Sequence, residues 1–497
     1  APVSRGEEHK MTLLSQISER LRAGAPLILV EDPDEALARA AAVQAAGQFL
    51  PIREISPLDP DILDSFDRPG TVITGDFLRI YGENPQAVRI LREIAFPGEG
   101  EPRRCILLES PDVRVPDALR SDLEIIRPAL PSVAELREEL EAFATSQKLF
   151  IPGEDEELYA LASAVAGLPR HEAARLFARC WVANRALDAT WLRREKAQRV
   201  SERLSGALTF QAPEDVSIGG LGNLRTWLSG RREAFSNSKA REYGVPEPKG
   251  VLLLGIPGTG KSLTARVVAR EWGLPLLRLD AGRLFGSLVG QSESQTREAL
   301  EAAESCAPCV LWIDEVEKGL SGGKGNSTDG GTSQRVFGAI LTWLQEKTKP
   351  VFVLATANRV ADLPPELLRK GRFDEIFFVD LPTFSERLEI LAVHLSKRGR
   401  DPKSFDLQAL AKASESFGGA ELEQAVIDGL FKSFSESREL ETNDVLEAIR
   451  RTVPLAVTMA EDVKTLREWA KGRAVPAGSS EVSFPTSSGV RRASLLS

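Results

Sequence analysis

One octapeptide constrains this chain more than any other stretch: Gly255-Ile256-Pro257-Gly258-Thr259-Gly260-Lys261-Ser262. The apolar run Val251-Leu252-Leu253-Leu254 before it reads as a buried strand, and a helical pattern follows from Leu263. Strand, then G-x-x-x-x-G-K-S, then helix is a phosphate-binding loop in its required context. The glycines let backbone N–H groups turn inward around phosphate oxygens where a side chain would collide. The helix N-terminus adds partial positive charge. Lys261 is placed to reach the β- and γ-phosphates of a bound nucleotide, and the Ser262 hydroxyl to hold Mg²⁺.

At 497 residues the length suggests two to four domains, and an apolar share of 42% supplies ordinary cores. A net charge of −9 gives no sign of a nucleic-acid binder in bulk and leaves a local basic channel open. No apolar run approaches the ~18 residues of a membrane span, and no secretory apolar segment lies near the start. Four cysteines point to a reducing compartment, the cytosol or a stroma-like one, and the expected localisation is cytoplasmic. Cys306-Ala-Pro-Cys309 has redox or zinc spacing, but no second Cys/His pair lies nearby. Cys309 reads as a buried structural thiol and Cys306 as coincidence. The three scattered histidines, His9, His171 and His394, read as surface or packing residues.

In the first half, Leu27-Ile28-Leu29-Val30 reads as a strand running into Glu31-Asp32-Pro33-Asp34-Glu35 and then a helix. Acids stand where a phosphate loop needs glycines and lysine. Strands near 71–74 and 105–109 make this an α/β segment. Segments 105–143 and 353–394 share one grammar: apolar strand, polar tip, a turn with proline, an isoleucine-containing strand, Leu-Pro-Ser/Thr, helix. That suggests a degenerate copy of the second half's module without nucleotide chemistry; the alternative is two unrelated segments sharing turn grammar. Residues 131–208 read as helical, with Trp181 and Trp191 as core or interface residues, and 209–217 as a linker.

Further along, Val310-Leu311-Trp312-Ile313 ends in Asp314-Glu315. Asp314 would bind Mg²⁺ through water, and Glu315 would orient and partly deprotonate the attacking water. Asn358, at the end of the next strand, either polarises the same water or the γ-phosphate or is a turn residue. Arg369 and Arg372 lie three apart beside a strand. Their planar forks suit a developing phosphoryl charge; a local salt bridge, for example to Asp374, is the other reading.

Taken in order, Ile-Gly-Gly-Leu at 218–221, G-I-P-G-T-G-K-S, V-L-W-I-D-E, A-T-A-N, L-L-R-K-G-R-F-D and Phe417-Gly418-Gly419-Ala420-Glu421-Leu422 resemble the AAA ATPases in the narrow sense. KGVLLLGIPGTGKSLTA, LPLLRLDAGRLFGSLVGQSES, APCVLWIDE, GTSQRVFG and RKGRFDEIFFVDLPT resemble one subgroup, the conserved hypothetical chloroplast reading-frame ATPases of plastids and cyanobacteria with their bacterial relatives. The resemblance implies an α/β fold: a P-loop AAA module, with a parallel five-stranded sheet plus helical lid, preceded by a degenerate AAA-like α/β domain with a helical end.

The domains are then 1–208 (α/β about 12–130, helical about 131–208), 209–382 for the large subdomain, 383–455 for the lid, 456–476 for a C-terminal helix, and 477–497 for a disordered, Ser-rich tail. The resemblance makes Arg369 and Arg372 fingers acting in a neighbour's site and Asn358 the sensor. Nucleotide contacts fall on Ser217, Ile218, Gly219, Pro257, Gly258, Thr259, Gly260, Lys261, Ser262, Leu263, Gly419 and Ala420. Leu288, Val289 and Gly290 match a pore loop, with leucine where many threading members carry an aromatic. Residues 319–331, including Lys324, form a second, glycine-rich loop. The expected partners are further copies of the chain in a hexameric ring and an unidentified protein client, with neither membrane nor nucleic acid. The expected function is ATP-driven remodelling of protein complexes. Its rivals are a slow ATP-dependent assembly switch or scaffold and, behind both, a nucleic-acid motor.

Overall fold

The apolar runs form strands and the periodic runs form helices, in two α/β units. In this computed structural model the described residues are 12–478, apart from 97–102, 149–154, 204–205, 281–290, 318–329 and the single positions 33, 48, 50, 112, 213, 215, 236 and 370. One unit ends at residue 179 and the other begins at 180, with residues 164–166 counted in the second. The boundary therefore falls inside the helical tract that the sequence assigns whole to the first domain. Helix Ala189–Arg203 belongs with the second unit. There Lys196, completely buried, donates from Nζ to the carbonyls of Ala166 (3.0 Å) and Ala307 (3.4 Å). Burial pushes its ammonium down to about 8.

The first unit carries five parallel strands: β1 (Leu27–Glu31), β2 (Ile52–Glu54), β3 (Gly70–Gly75), β4 (Arg103–Glu109) and β5 (Glu124–Ile126). Read from one edge, their order is β5-β1-β4-β3-β2. Every residue of β1 and β3 is buried, which is why they read as unbroken apolar runs rather than alternating ones. Apolar clusters fill both faces, one around Phe66, Phe77 and Leu107 and the other around Ile17, Ile28 and Ile106.

The second unit has β6 (Leu208–Gln211), β7 (Gly250–Gly255), β8 (Leu276–Leu279), β9 (Cys309–Ile313), β10 (Val351–Ala357), β11 (Glu375–Val379) and β12 (Val475–Pro476). The order is β12-β11-β7-β10-β9-β8-β6. Numbered within each unit, the five inner strands run 5-1-4-3-2, the order of the first sheet. Both sheets also place an acid in the left-handed region just after the third strand, Asp76 at φ 49° and Glu315 at φ 48°.

Two edges differ from the sequence reading. The expected linker at 209–217 starts as β6, pairing antiparallel with β8. The expected tail is tied down where it begins. Ala477, fully buried, donates its N–H to Phe378 (2.9 Å) and accepts from the N–H of Leu224 (3.1 Å). Ahead of it, helix Ala460–Ala470 sets Leu466 and Ala470 against Phe378, and Arg467 pairs with Asp380. The lid is a bundle of helices Phe384–Lys397, Leu407–Ala413, Gly419–Ser435 and Thr442–Arg451 around Leu391, Leu410 and Val426. Among the described residues no helix is long and apolar enough to cross a membrane. Cys306 and Cys309 are both buried free thiols, so Cys306 is as much a core residue as Cys309.

Candidate functional site

β7 delivers the chain to the sheet's C-terminal edge, where open α/β sheets bind ligands. The loop after it needs its glycines, because Gly258 (φ 77°) and Gly260 (φ 93°) lie in the left-handed region. Gly260 caps helix Lys261–Trp272, whose first N–H groups point into the loop. Lys261, only 5% exposed, curls back so that Nζ donates to the carbonyls of Gly255 (2.9 Å) and Ile256 (2.6 Å). Burial pushes this ammonium down to about 8, while the nearby acids Glu317, Asp314 and Glu315 pull it the other way.

Next to the loop, the ends of β9 and β10 hold a polar network. Asp314 Oδ1 accepts from the hydroxyls of Ser262 (2.9 Å) and Thr356 (2.7 Å). Asn358 Nδ2 donates to Glu315 Oε1 (3.2 Å), and the Asn358 N–H donates to Glu317 Oε1 (2.8 Å). Glu317 is a buried carboxyl, raised by desolvation. Arg278 Nη2 stands 3.8 Å from Asp314 Oδ2.

The opposite wall comes from the lid and from the segment before helix Gly222–Arg232. Ala420 donates its N–H to the carbonyl of Gly258 (3.0 Å), joining the lid helix to the loop. Leu221 and Gly220 donate their N–H groups to Glu386 Oε1 and Glu389 Oε2, both at 2.9 Å. These links hold Ile218 and Gly219 over the loop. Ile218 Cδ1 lies 3.4 Å from where a Cβ on Gly260 would stand. The walls enclose an open cleft of about 440 Å³.

Every nucleotide and metal residue expected from the sequence lines this one cleft: Ser217, Ile218, Gly219, Pro257 through Leu263, Asp314, Gly419 and Ala420, together with Glu315 and Asn358. Thr356, Ile390, Val393, His394 and Glu423 also line it and were missed. Ile390, Val393 and His394 share one face of a helix at i, i+3, i+4 spacing, a pattern visible in the sequence. His394 is thus a cleft residue rather than a surface or plain packing one. Burial lowers its pKa against the pull of Glu423, whose Oε1 is 3.5 Å from Nδ1. Arg369 and Arg372 stay out of the cleft. Arg369, with a side chain 70% exposed, lies 3.9 Å from Glu366, and Arg372 donates to the Glu366 carbonyl. Asp374, the partner suggested for them, instead accepts the N–H groups of Lys249 and Gly250. Leu288, Val289 and Gly290 and most of the loop at 319–331 lie outside the described residues.

The corresponding edge of the first sheet is closed by its own side chains. Asp34 caps helix Glu35–Ala46, accepting the N–H of Leu37, and Asp32 accepts the N–H of Asp34. Glu35, paired with Arg39 at 2.6 Å, lies 2.6 Å from where a Cβ on Gly75 would stand. Carboxylates thus crowd the edge after β1, the strand-to-helix turn at which the second unit carries its phosphate loop.

Residues 251–381 match the model of the ATPase family associated with various cellular activities. The chain is 40% identical over 418 residues to an uncharacterized AAA domain-containing protein ycf46 of Guillardia theta, covering 82% of this chain and 81% of the relative. The ycf46 protein of Pyropia yezoensis is 42% identical over 394 residues, 78% and 79% of the two chains. The chain belongs to the ycf46-type AAA ATPases. It is an ATP-hydrolysing enzyme with an AAA-type α/β fold, preceded by another α/β domain. A proteasome-activating nucleotidase of Aeropyrum pernix is 36% identical over 219 residues, 42% of this chain and 52% of that one. Residues 134–203 match the second domain of SpoVK-like AAA ATPases. The family overturns the cytoplasmic placement, because the ycf46 relatives belong to the chloroplast reading-frame group. A low cysteine count suits any reducing compartment and does not single out the cytoplasm.

Proposed function

We propose that the protein is a ring-forming remodeller of protein complexes, driven by ATP hydrolysis in the second unit. The observation that carries this reading is the cleft itself. Its phosphate loop is bonded to the lid through Ala420 and Gly258, so the lid's position follows what the loop holds. The donors present fit Mg²⁺·ATP. Ser262 Oγ and Asp314 Oδ1 are hard oxygens 2.9 Å apart at a helix N-terminus, and Lys261 is a buried cation beside it. ATP with its cation supplies the scissile γ-phosphoryl group and electrophilic stabilisation of it. Lys261 would turn from its two carbonyls to the phosphates, Glu315 would take the proton of the attacking water, and Asn358 would hold Glu315 and that water in line.

Among the described residues, Arg369 and Arg372 stand outside the cleft of their own chain. A neighbouring copy would supply them, which supports a closed ring, taken as a hexamer. Likeness to a proteasome-activating nucleotidase supports a protein rather than a nucleic-acid client. The first unit would be a degenerate AAA module that recruits the client or stiffens the ring. The shared 5-1-4-3-2 strand order and the match of residues 134–203 support that descent. The test is the ATPase rate per chain against protein concentration, with Lys261→Ala as blank. The reading expects a rate that rises and saturates, and rescue of Arg372→Ala subunits when mixed with Lys261→Ala subunits. A low, concentration-independent rate would move the weight to a chain acting alone as a switch.

A further inference from the structure

Glu315 is a non-glycine residue in the left-handed region, a conformation that costs free energy and persists only where neighbours impose it. One residue supplies both neighbouring restraints. Thr356, 1% exposed on β10, accepts the Glu315 N–H on Oγ1 (3.0 Å) and the Val316 N–H on its own carbonyl (3.0 Å). Its hydroxyl proton goes to Asp314 Oδ1 (2.7 Å). The hydroxyl therefore donates to one acid and accepts from the backbone of the next, fixing the hydroxyl's own orientation. We infer that Thr356 is the positioning residue for Glu315, holding its backbone in the left-handed turn that aims the carboxylate into the cleft.

Two details separate this role from simple packing. Asp314 Oδ1 has a second hydroxyl donor, Ser262, so loss of the Thr356 hydroxyl leaves Asp314 held. The Glu315 N–H bond to Thr356 is made across strands by a side chain, which a valine of the same shape abolishes without opening a cavity. The damage should therefore appear in turnover and not in nucleotide binding.

The inference rests on Glu315 being the residue that handles the water, so Glu315→Gln is measured alongside. Full-length wild type, Thr356→Val, Thr356→Ser and Glu315→Gln are compared by kcat, KM for Mg·ATP and thermal midpoint. Thr356→Val should lower kcat about 10- to 100-fold with KM within about threefold, and Thr356→Ser should recover most of the loss. In a Glu315→Gln background Thr356→Val should cause no further fall, because it acts through Glu315. If Thr356→Val unfolds, Thr356→Ala and Thr356→Ser are compared in the same way. A Thr356→Val enzyme with wild-type kcat, a serine variant as slow as valine, or a penalty that persists without Glu315 overturns the inference. A fully active Glu315→Gln enzyme instead overturns the assignment of Glu315 itself.

Discussion

Glu386 joins the start of the lid to a segment 165 residues earlier, and its removal gives a quantitative test of how the lid is joined to the site. It is 6% exposed at the start of the lid's first helix. Oε2 accepts the Thr383 N–H (2.9 Å) and hydroxyl (3.1 Å), completing a capping box, while Oε1 accepts the Leu221 N–H (2.9 Å) from 165 residues away. Losing the N3 acceptor of the Thr383 N–H, one half of the capping box, costs about 1 kcal/mol. Leaving a buried N–H without its charged acceptor costs about 1–3 kcal/mol more. Glu386→Ala should thus destabilise the second unit by about 2–4 kcal/mol, or about 3–6 °C in apparent midpoint for a unit spanning residues 180–497. Glu386→Gln keeps one acceptor oxygen and should fall between. Because Leu221 follows the segment of Ile218 and Gly219 over the loop, ATP affinity should fall with stability. Differential scanning calorimetry and fluorescent-nucleotide titration read both. A midpoint within about 1 °C of wild type, a shift worth under about 1 kcal/mol, would refute this account of the joint.

Other consequences follow from single distances. Lys261 is protonated below about 8 in the free enzyme, so ATP affinity should be level near pH 7 and weaken as pH climbs past 8. Titrations from pH 7 to about 9.5 should show up to tenfold loss per pH unit above that point, and a flat profile would show that the ammonium keeps its proton. Asn358→Ala removes the 3.2 Å bond to Glu315 and should cut kcat about 10- to 100-fold, with nucleotide affinity nearly unchanged in a binding titration. Gly250→Ala places a Cβ 2.0 Å from the Val353 carbonyl oxygen at a φ of 148°, so β7 cannot keep its pairing with β10. Loss of soluble folded protein, followed by circular dichroism, is the expected result, and a native-like melt would contradict it.

The parts of the site that were legible in sequence are those carried by consecutive residues. The loop at 255–262 and the acids after β9 announce themselves because a strand, a turn and a helix start must be written together. Thr356, Glu386 and Glu389 act across 40 to 170 residues, as in the bonds from Glu315 to Thr356 and from Gly220 to Glu389. No local pattern distinguishes such a threonine from one that merely suits a strand. β6 and β12 were missed for a related reason. Each is a short edge strand whose only requirement is a partner's free backbone, so the four-residue segment reads as linker and the two-residue one as the end of the C-terminal helical segment. In the sequence Ala477 reads as the start of a disordered tail because the residues after it are small and polar. Its burial comes from Phe378 and Leu224, which lie more than ninety residues away. The acids at 31–35 were legible as a defect in a phosphate loop. What they do instead, capping their own helix and covering Gly75, required the fold.

The central claim is that nucleotide chemistry resides in the second unit alone. The direct measurement is the number of ATP molecules bound per full-length chain, by equilibrium dialysis of the Glu315→Gln protein, which should bind without turning over. The account predicts one per chain, reduced to none by the further change Lys261→Ala. Two per chain, or binding that survives Lys261→Ala, would mean that the carboxylate-filled edge of the first sheet takes nucleotide after all, and would contradict it.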